Sequence, residues 1–365
     1  MLIYLISFLM TLALLILKRN IKIKFSSYYN INTLSHFLPI IPLWTVMAFR
    51  GASVGSDTLN YQNIFVNGTY STLFSDSMLP RAPVYTIYSH LLAIFFNNPQ
   101  AIIILNSTII ISIMMYCISK FSSNEIDSWY IYVTLCYYIF AFNAMRQGIA
   151  MAALLMCYCF MRVKNIKRAI IWLIIAIGIH QTAIIGIVII IAMLKPISLG
   201  QTLKFTFILF LLEYFGEKAG MYFFLRIFPT YAGYTMGNTL HAGDSYTKGH
   251  YLALFFAIFI FWKIINMQIN EKYKMLVLCK NPYFYNSVLL LTVYIIGTVI
   301  FKNVYYVSRL IIYFSQISIF LIPDILKSET IASNRILMKY ISFPMMFIPY
   351  FVNIQSYLPY VFFWQ

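Results

Sequence analysis

The chain has 365 residues, of which 61% are hydrophobic and 10% are charged. Soluble domains carry about 25% charged residues, so this composition excludes an ordinary soluble protein and predicts a chain that crosses a membrane many times. The formal net charge of +16 would suggest nucleic acid in a soluble protein. Here it predicts basic loops held on the cytoplasmic side of a membrane, with no nucleic-acid partner.

Taken in order, the apolar runs predict membrane helices along the whole chain. A complete span needs about twenty residues, and most of the runs approach that length. We predict an all-α polytopic membrane protein in which residues 1–365 form a single membrane domain, with about 11–13 transmembrane helices plus short interfacial helices. The predicted spans are 2–17, 35–49, 101–119, 128–143, 147–161, 169–180, 181–194, 203–215, 251–267, 284–301, 306–322 and 338–355.

Loops that are rich in lysine set the predicted sidedness, because the positive-inside rule places them in the cytoplasm. The apolar run 84–97 conflicts with this assignment, since a further span there would move the later lysine loops to the other side. Its apolar core has only about thirteen residues, which is too short to cross a bilayer. We therefore predict a half-inserted helix over 84–97 on the outer face.

Residues 169–194 lie between two basic loops, so the chain must cross the membrane an even number of times there. The stretch is short for two crossings. We predict a short hairpin with His180 near its tip, and one long tilted helix is the alternative.

Two long outer loops are predicted, at 50–83 and at 216–250. The first opens with RGASVGSDTLNY, which combines Arg50, Asp57 and two glycines. The second contains MYFFLRIF, predicted to be a short interfacial helix, and then Tyr231 and Tyr234. Loops of this length in a compact protein are usually functional or disordered.

Arginine is distributed differently from lysine on this topology. The cytoplasmic loops are mainly lysine, whereas arginines outnumber lysines on the outer face. Membrane insertion accounts for the lysines but not for arginines at outer helix ends, and arginine binds phosphate in a bidentate manner. We predict that Arg50, Arg146 and Arg309 converge on one watery cavity and hold a pyrophosphate, the alternative being separate snorkelling to lipid headgroups. The outer basic residues are Arg50, Arg81, Arg146, Arg226, Arg309, Lys218, Lys248 and Lys302.

Two residues compete for the role of general base. His180, in IGIHQTAII, interrupts an apolar run, and a neutral imidazole near the outer face can accept a proton from a sugar hydroxyl. Asp57 in the first outer loop is the other candidate. The alternative for His180 is a hydrogen bond to a neighbouring helix. No partner for His90 and no motif around Asp76 is visible in the sequence.

Several chemistries have no motif in the chain. There is no Walker A loop, HExxH or paired-carboxylate cluster, and no Asp-x-Asp metal motif of soluble nucleotide-sugar transferases. We therefore predict neither a metal nor a cofactor. No internal repeat is visible, which disfavours a transporter built from inverted repeats.

Short motifs spread over most of the chain carry a resemblance to a known family. They are R-x(4)-G-x-D-x(3)-Y at Arg50, Gly55, Asp57 and Tyr61; N-x-x-R-Q at Asn143, Arg146 and Gln147; H-x-[ST]-A at His180, Thr182 and Ala183; Y-x-x-Y at Tyr231 and Tyr234; and R-x-x-x-Y at Arg309 and Tyr313. In this order the motifs resemble those of the Wzy/EpsG-type polysaccharide polymerases. One departure is RAPVY, where Arg81 replaces an expected glutamate.

The resemblance implies a GT-C-like enzyme of the bacterial inner (cytoplasmic) membrane with its active site facing the periplasm or the outside. Such enzymes join undecaprenyl-pyrophosphate-linked oligosaccharide repeats into O-antigen or exopolysaccharide, without metal or cofactor. Membrane lipid and a chain-length regulator are the other expected partners. The implied substrate-binding residues are Arg50, Arg309, Tyr61, Gln147, Tyr231, Tyr234 and Tyr313, and the implied catalytic residues are Asp57, His180 and Arg146.

Two other functions stay open at this stage. An O-antigen ligase or an acyltransferase would work on the same face, and a ligase would use the same donor with a different acceptor. A lipid-linked oligosaccharide flippase or transporter would show charged residues midway through several helices and internal symmetry, neither of which is clear in the sequence.

Overall fold

The computed structural model describes residues 1–25, 34–70, 73–227, 258–259, 262–270, 274, 277–278, 281–300, 305–329 and 332–365. Throughout these residues the regular secondary structure is helical, which confirms the predicted all-α class. The first eight helices are α1 (Leu2–Phe25), α2 (Leu34–Phe37), α3 (Ile41–Ala48), α4 (Thr58–Tyr70), α5 (Pro83–Phe95), α6 (Gln100–Phe121), α7 (Glu125–Thr134) and α8 (Tyr137–Asn143).

The later described helices continue the bundle to the end of the chain. They are α9 (Met145–Arg162), α10 (Ile166–Ile179), α11 (Ile187–Ala192), α12 (Leu199–Ile227), α13 (Phe284–Ile300), α14 (Tyr305–Ser315), α15 (Ser318–Ser328) and α16 (Ala332–Ile354). Capping side chains define the N-termini of two of the helices. Asn124 and Asn165 cap α7 and α10 by accepting hydrogen bonds from backbone N–H groups of the first turn.

Helix α9 forms the centre of the bundle. It packs against α6 and α10, and every residue from Gln147 to Met161 is buried. A helix that is buried on all sides needs apolar or small residues around its whole circumference, as in GIAMAALLMCYCFM. Only its two arginines, Arg146 in the first turn and Arg162 in the last, are partly exposed. The interior of α9 therefore separates two charged ends.

Four helices among the described residues are long and apolar enough to cross a membrane: Leu2–Ile21, Gln100–Phe121, Arg309–Ser328 and Ser333–Tyr357. Shorter apolar helices cover Ser35–Ala48, Pro83–Phe95, Gln181–Ala192, Leu199–Leu212 and Phe284–Thr298. The chain is thus a polytopic membrane protein. Helix α5 has 13 residues, about 20 Å at 1.5 Å per residue, and its half-inserted position stays a prediction.

The predicted hairpin around His180 is present. Helix α10 ends at Ile179, His180 is extended, and a 3-10 helix (Gln181–Gly186) leads into α11. A Cβ added to Gly186 would lie 2.8 Å from a methyl carbon of Leu173, so the chain has turned back on α10. A single long helix over 169–194 is therefore excluded.

The second predicted outer loop differs from expectation in its first part. Residues 216–227 continue α12 as far as Ile227, so residues 221–227 belong to the end of a long helix and do not form a separate interfacial helix. The stretch has no proline before Pro229, and its two glycines do not interrupt the helix. The remainder of the loop, with Tyr231 and Tyr234, lies outside the described residues.

Candidate active site

Arg50 lies at the junction of the first outer loop with the bundle and is fully buried. Its guanidinium donates from Nε to Thr58 Oγ1 at 3.0 Å, from Nη1 to the carbonyl of Met47 at 2.6 Å, and from Nη2 to the carbonyl of Phe142 at 3.0 Å. It also lies 4.7 Å from the centre of the Phe142 ring. Burial lowers the pKa of Arg50 to about 10, so the side chain stays charged at neutral pH.

These contacts favour a positioning role for Arg50 over the predicted role as a pyrophosphate ligand, which stays a prediction. All three guanidinium nitrogens donate to protein acceptors on α3, α4 and α8, and no part of the side chain reaches the surface. A buried charged group requires such partners, and here they are supplied by segments of the chain that are far apart in sequence. Arg50 therefore holds the first outer loop against α3 and α8.

Gly55 and Asn143 make the second attachment of the same loop. The backbone N–H of Ser56 donates to Asn143 Oδ1 at 2.9 Å. Gly55 has φ +86°, and a Cβ there would lie 2.8 Å from the same oxygen. Only glycine tolerates both the left-handed backbone and the close approach. Two of the sequence motifs, the one around Gly55 and the one around Asn143, are thus in direct contact.

The Gly55→Ala variant is expected to lower the free energy of unfolding by about 1–3 kcal/mol, because it strains the backbone and pushes on Asn143. Thermal unfolding of the purified protein in detergent measures the loss. Gly200→Ala is the matched control, since a Cβ on Gly200 in α12 meets nothing within 4 Å. Equal unfolding temperatures for the Gly55 variant and the parent protein would contradict this role of the glycine.

Arg146 is the second residue of α9 and has a very different environment from Arg50. Its Nη1 lies 3.6 Å from the Sδ of Met78, and its guanidinium lies 5.5 Å from the ring centre of Tyr85. The backbone N–H of Arg146 donates to the hydroxyl of Tyr61 at 3.4 Å. Among the described residues its Nε is buried without a hydrogen-bond partner, and no carboxylate lies within ion-pair distance. The charge of Arg146 is therefore not neutralised by the described part of the protein.

Gln147 connects the start of α9 to α14. Its side chain is 2% exposed, and its Nε2 donates to the backbone carbonyl of Arg309 at 2.6 Å. Arg309 and Tyr313 are four residues apart on α14, so they lie on the same face of that helix. This hydrogen bond fixes the position of α14, and with it the backbone of Arg309, next to Arg146.

His180 lies between α9 and α14 at the tip of the hairpin. Its Nδ1 lies 2.7 Å from Thr182 Oγ1 and 3.5 Å from the hydroxyl of Tyr313, and Thr182 Oγ1 lies 3.0 Å from the same hydroxyl. The positive charges of Arg146 and Arg309 both act on the imidazole. The hydrogen bond of His180 to a neighbouring helix, which was the alternative to a role as base, is thus present. The electrostatic influence of two arginines is present as well.

Together these residues form a group that we call the arginine cluster. Its members come from the first outer loop, α5, α9, the His180 hairpin and α14, and they are Tyr61, Tyr85, Arg146, Gln147, His180, Thr182, Arg309 and Tyr313. Asp57 lies one helical turn before Tyr61, and its partly exposed carboxylate accepts from Ser56 Oγ at 3.3 Å. Arg81 and Arg226 are exposed.

An Asp76–His90 pair was not predicted from the sequence. Asp76 Oδ2 lies 3.0 Å from His90 Nε2, and Asp76 Oδ1 accepts from the backbone N–H of Met78 at 2.8 Å. This pair links the first outer loop to α5 and holds Met78 where its sulfur contacts Arg146. The pairing could not be read from the sequence, because the two residues are fourteen positions apart on a loop and a helix.

Tyr85 was also missed, although it lies within the RAPVY stretch that departs from the family motif. Its hydroxyl accepts from Asn106 Nδ2 at 3.3 Å, and the guanidinium of Arg146 lies next to its ring.

Within the described residues no group of three or more His, Cys, Asp or Glu side chains could hold a metal ion.

The fold and its many apolar helices define an all-α membrane protein of several spans. A family model described as the EpsG family matches residues 33–362, and the chain belongs to that family. Membership indicates a broad role in polysaccharide polymerisation. Searches of curated proteins and of solved structures each found no match to the chain.

Proposed function

We propose that the protein is a polymerase that joins undecaprenyl-pyrophosphate-linked oligosaccharide repeats on the outer face of the bacterial inner membrane. The observation that carries the proposal is the uncompensated charge of Arg146. Its Nε has no hydrogen-bond partner among the described residues, and the side chain is partly buried. An unpaired charge in such a place is costly unless a ligand neutralises it.

The position of Arg146 in α9 favours an anionic ligand further. The N-terminus of a helix carries a partial positive charge, so a cation in the first turn is unfavourable and an anion beside it is favourable. Arg146 and Arg309 both act electrostatically on His180, and the Gln147 hydrogen bond holds the Arg309 backbone beside α9, so the two guanidinium groups are proposed to face one site. A pyrophosphate between them would relieve the repulsion and accept bidentate hydrogen bonds from each.

In the proposed reaction, a hydroxyl oxygen of the incoming repeat attacks the anomeric carbon of the growing chain. A new carbon–oxygen bond forms, and the bond from the anomeric carbon to the pyrophosphate oxygen breaks. The electron pair leaves with the lipid pyrophosphate, where Arg146 and Arg309 stabilise the added negative charge. The hydroxyl proton passes to a general base. Because the arginines neutralise the leaving group, the step is proposed to require no metal ion.

His180 and Asp57 remain the two candidates for the base. The two nearby positive charges of Arg146 and Arg309 disfavour a positive charge on His180. A neutral imidazole is the form that can act as a base. For His180 to accept a proton at Nε2, its Nδ1 must carry hydrogen and donate to Thr182 Oγ1, which lies 2.7 Å away. Asp57 instead has a partly exposed carboxylate near Tyr61. Each arrangement can accept a proton from a sugar hydroxyl.

Replacing the base is expected to lower the rate of polymer synthesis by about 100-fold or more, because positioned proton transfer contributes about that much. We expect this loss for His180→Ala, because His180 belongs to the arginine cluster, and a smaller loss for Asp57→Asn. Initial rates with purified variants at matched amounts of folded protein give the comparison. A full rate for His180→Ala with a large loss for Asp57→Asn would assign the base to Asp57.

The sugar-binding roles are proposed from position. Tyr61 and Tyr313 border the arginines and are proposed to line the sugar path. Tyr231 and Tyr234 are proposed to do the same, and both lie outside the described residues. Gln147 is proposed to act by holding Arg309, through its hydrogen bond to the Arg309 carbonyl. Arg50 and the Asp76–His90 pair are proposed to position the first outer loop.

The function is tested by supplying lipid-linked repeat units to the purified protein without lipid A and with a chelator present. The proposal expects polymer longer than one repeat and release of undecaprenyl pyrophosphate. A ligase would need lipid A-core as acceptor and would give no polymer. A flippase would move the substrate across vesicles without forming a glycosidic bond. Polymer that forms only when divalent metal is restored would remove the metal-independent part of the proposal.

A further inference from the structure

A second cavity lies at the other end of the bundle from the arginine cluster. Helix α6 joins the two ends, because Gln100 at its start donates to the carbonyl of Arg50 at 3.2 Å, and Ser119 in its last turn lines the cavity. The 22 residues of α6 extend about 33 Å at 1.5 Å per residue. This length is close to the hydrocarbon thickness of about 30 Å, so the cavity belongs to the opposite membrane surface.

The cavity has a volume of about 580 Å³ and a strongly basic lining. Five basic side chains and two carboxylates line it, which leaves an excess of three positive charges with histidine neutral. The charged residues of the lining are Lys18, Arg19, Lys327, Arg335, Lys339, Glu125 and Asp127. An excess of this size, confined to one hollow, favours an anion.

The carboxylates of the cavity are already neutralised by two of the lysines. Lys18 Nζ lies 2.9 Å from both carboxylate oxygens of Glu125 and 2.6 Å from Nδ1 of His36. Lys339 Nζ lies 2.7 Å from Oδ1 of Asp127, whose side chain is 4% exposed. These pairs join α1, α7 and α16 and give the cavity a fixed wall.

Three side chains of the lining, Arg19, Arg335 and Ser123, are available to a ligand. Among the described residues, Arg19 and Arg335 have no hydrogen bond or ion pair, and the buried hydroxyl of Ser123 has no partner. Lys327 donates to the backbone carbonyl of Ser123 at 3.0 Å. Two guanidinium forks and a hydroxyl are the groups that recognise phosphate oxygens.

We propose that this cavity binds a phosphate-bearing anion through Arg19 and Arg335, with Ser123 as an additional donor. The positive-inside rule accounts for basic residues at this surface. It does not account for a hollow in which the exposed Arg19 and Arg335 lie beside two part-buried ion pairs and an unpartnered buried hydroxyl. The same chemistry fits the headgroup of an anionic phospholipid and a soluble diphosphate. Leu15, Ile126 and Leu326 also line the hollow and offer apolar surface to the chain next to a headgroup.

Two binding measurements distinguish the sources of the anion. The full-length protein is placed in phosphatidylcholine nanodiscs and titrated with inorganic pyrophosphate by calorimetry. In parallel, protein from nanodiscs that contain phosphatidylcholine and phosphatidylglycerol is examined by native mass spectrometry for retained phosphatidylglycerol. Saturable heat with pyrophosphate that persists in the Arg146→Ala variant, which lacks the proposed pyrophosphate ligand of the arginine cluster, supports a soluble ligand at the cavity. Selective retention of phosphatidylglycerol supports a headgroup.

The double variant Arg19→Gln with Arg335→Gln is expected to weaken whichever binding is observed about tenfold, the effect of losing charged hydrogen bonds. Arg19→Lys with Arg335→Lys should lose less, because charge remains. Lys167→Gln with Arg168→Gln is the matched control, since both residues are exposed, lie outside the cavity and are predicted to share its membrane surface. Thermal unfolding checks that each variant is folded.

The proposal is overturned if the wild-type protein binds neither probe, or if the control variant loses as much binding as the cavity variant. Polymer synthesis is not part of either measurement. A failure of this proposal would therefore leave the assignment of the arginine cluster untouched, and a failure of that assignment would not affect this one.

Discussion

The Arg146→Ala variant is expected to lower polymer synthesis by about 100- to 1,000-fold, with a normal amount of folded protein in the membrane. The magnitude is that of removing one preorganised donor to a developing negative charge. Stability should hold, because the side chain makes no ion pair among the described residues and its Nε lacks a partner. Initial rates with purified lipid-linked repeats measure the effect.

Two further variants sharpen that result. Arg146→Lys should recover only part of the rate, because an ammonium is a point charge and cannot bind phosphate in a bidentate manner. Arg226→Ala is the control, since Arg226 is an exposed arginine in the last turn of α12, and its rate should equal that of the parent. Polymer of normal length and yield from Arg146→Ala would contradict the assignment of Arg146 to the leaving group.

The Arg50→Met variant is expected to lower the free energy of unfolding by about 3 kcal/mol or more. Methionine fills a similar volume but leaves the buried carbonyls of Met47 and Phe142 without their donor, and each unsatisfied buried group costs about 1–3 kcal/mol. Thermal or denaturant unfolding in detergent measures the loss, with Arg226→Met as the exposed control.

Arg50 and Arg146 together separate positioning from catalysis. The activity of Arg50→Met should fall in proportion to the folded fraction, while the rate per folded molecule stays within a fewfold of the parent. Arg146→Ala should show the reverse, with full stability and a low rate. If Arg50→Met is fully stable but has lost polymer synthesis from the lipid-pyrophosphate donor, then Arg50 contacts the substrate. That result would contradict the proposal that Arg50 only positions the first outer loop.

The parts of the candidate site that the sequence indicates are those where a polar residue interrupts an apolar run. Arg146, His180 and Arg309 were found this way, because an ionisable residue at a membrane helix end requires a specific environment. The hairpin at His180 was predictable because the basic loops on either side demand an even number of crossings. In each case the signal is local or depends only on the order of loops.

The contacts of Arg50 could not be predicted, because its acceptors come from both near and far in the chain. The carbonyl of Phe142 is 92 positions away, and nothing in RGASVGSD indicates that it faces inward. The same is true of Asp76 and His90, which meet only when the first outer loop folds back on α5. Sequence patterns identify candidate charges, whereas the partner that neutralises each charge depends on tertiary packing.

The most direct test of the account is an electron cryo-microscopy structure of the protein with undecaprenyl pyrophosphate bound in nanodiscs. The account predicts pyrophosphate oxygens about 3 Å from guanidinium nitrogens of both Arg146 and Arg309, with Arg50 still buried beneath the loop. A pyrophosphate bound elsewhere, with both arginines beyond hydrogen-bond distance of it, would contradict the central claim.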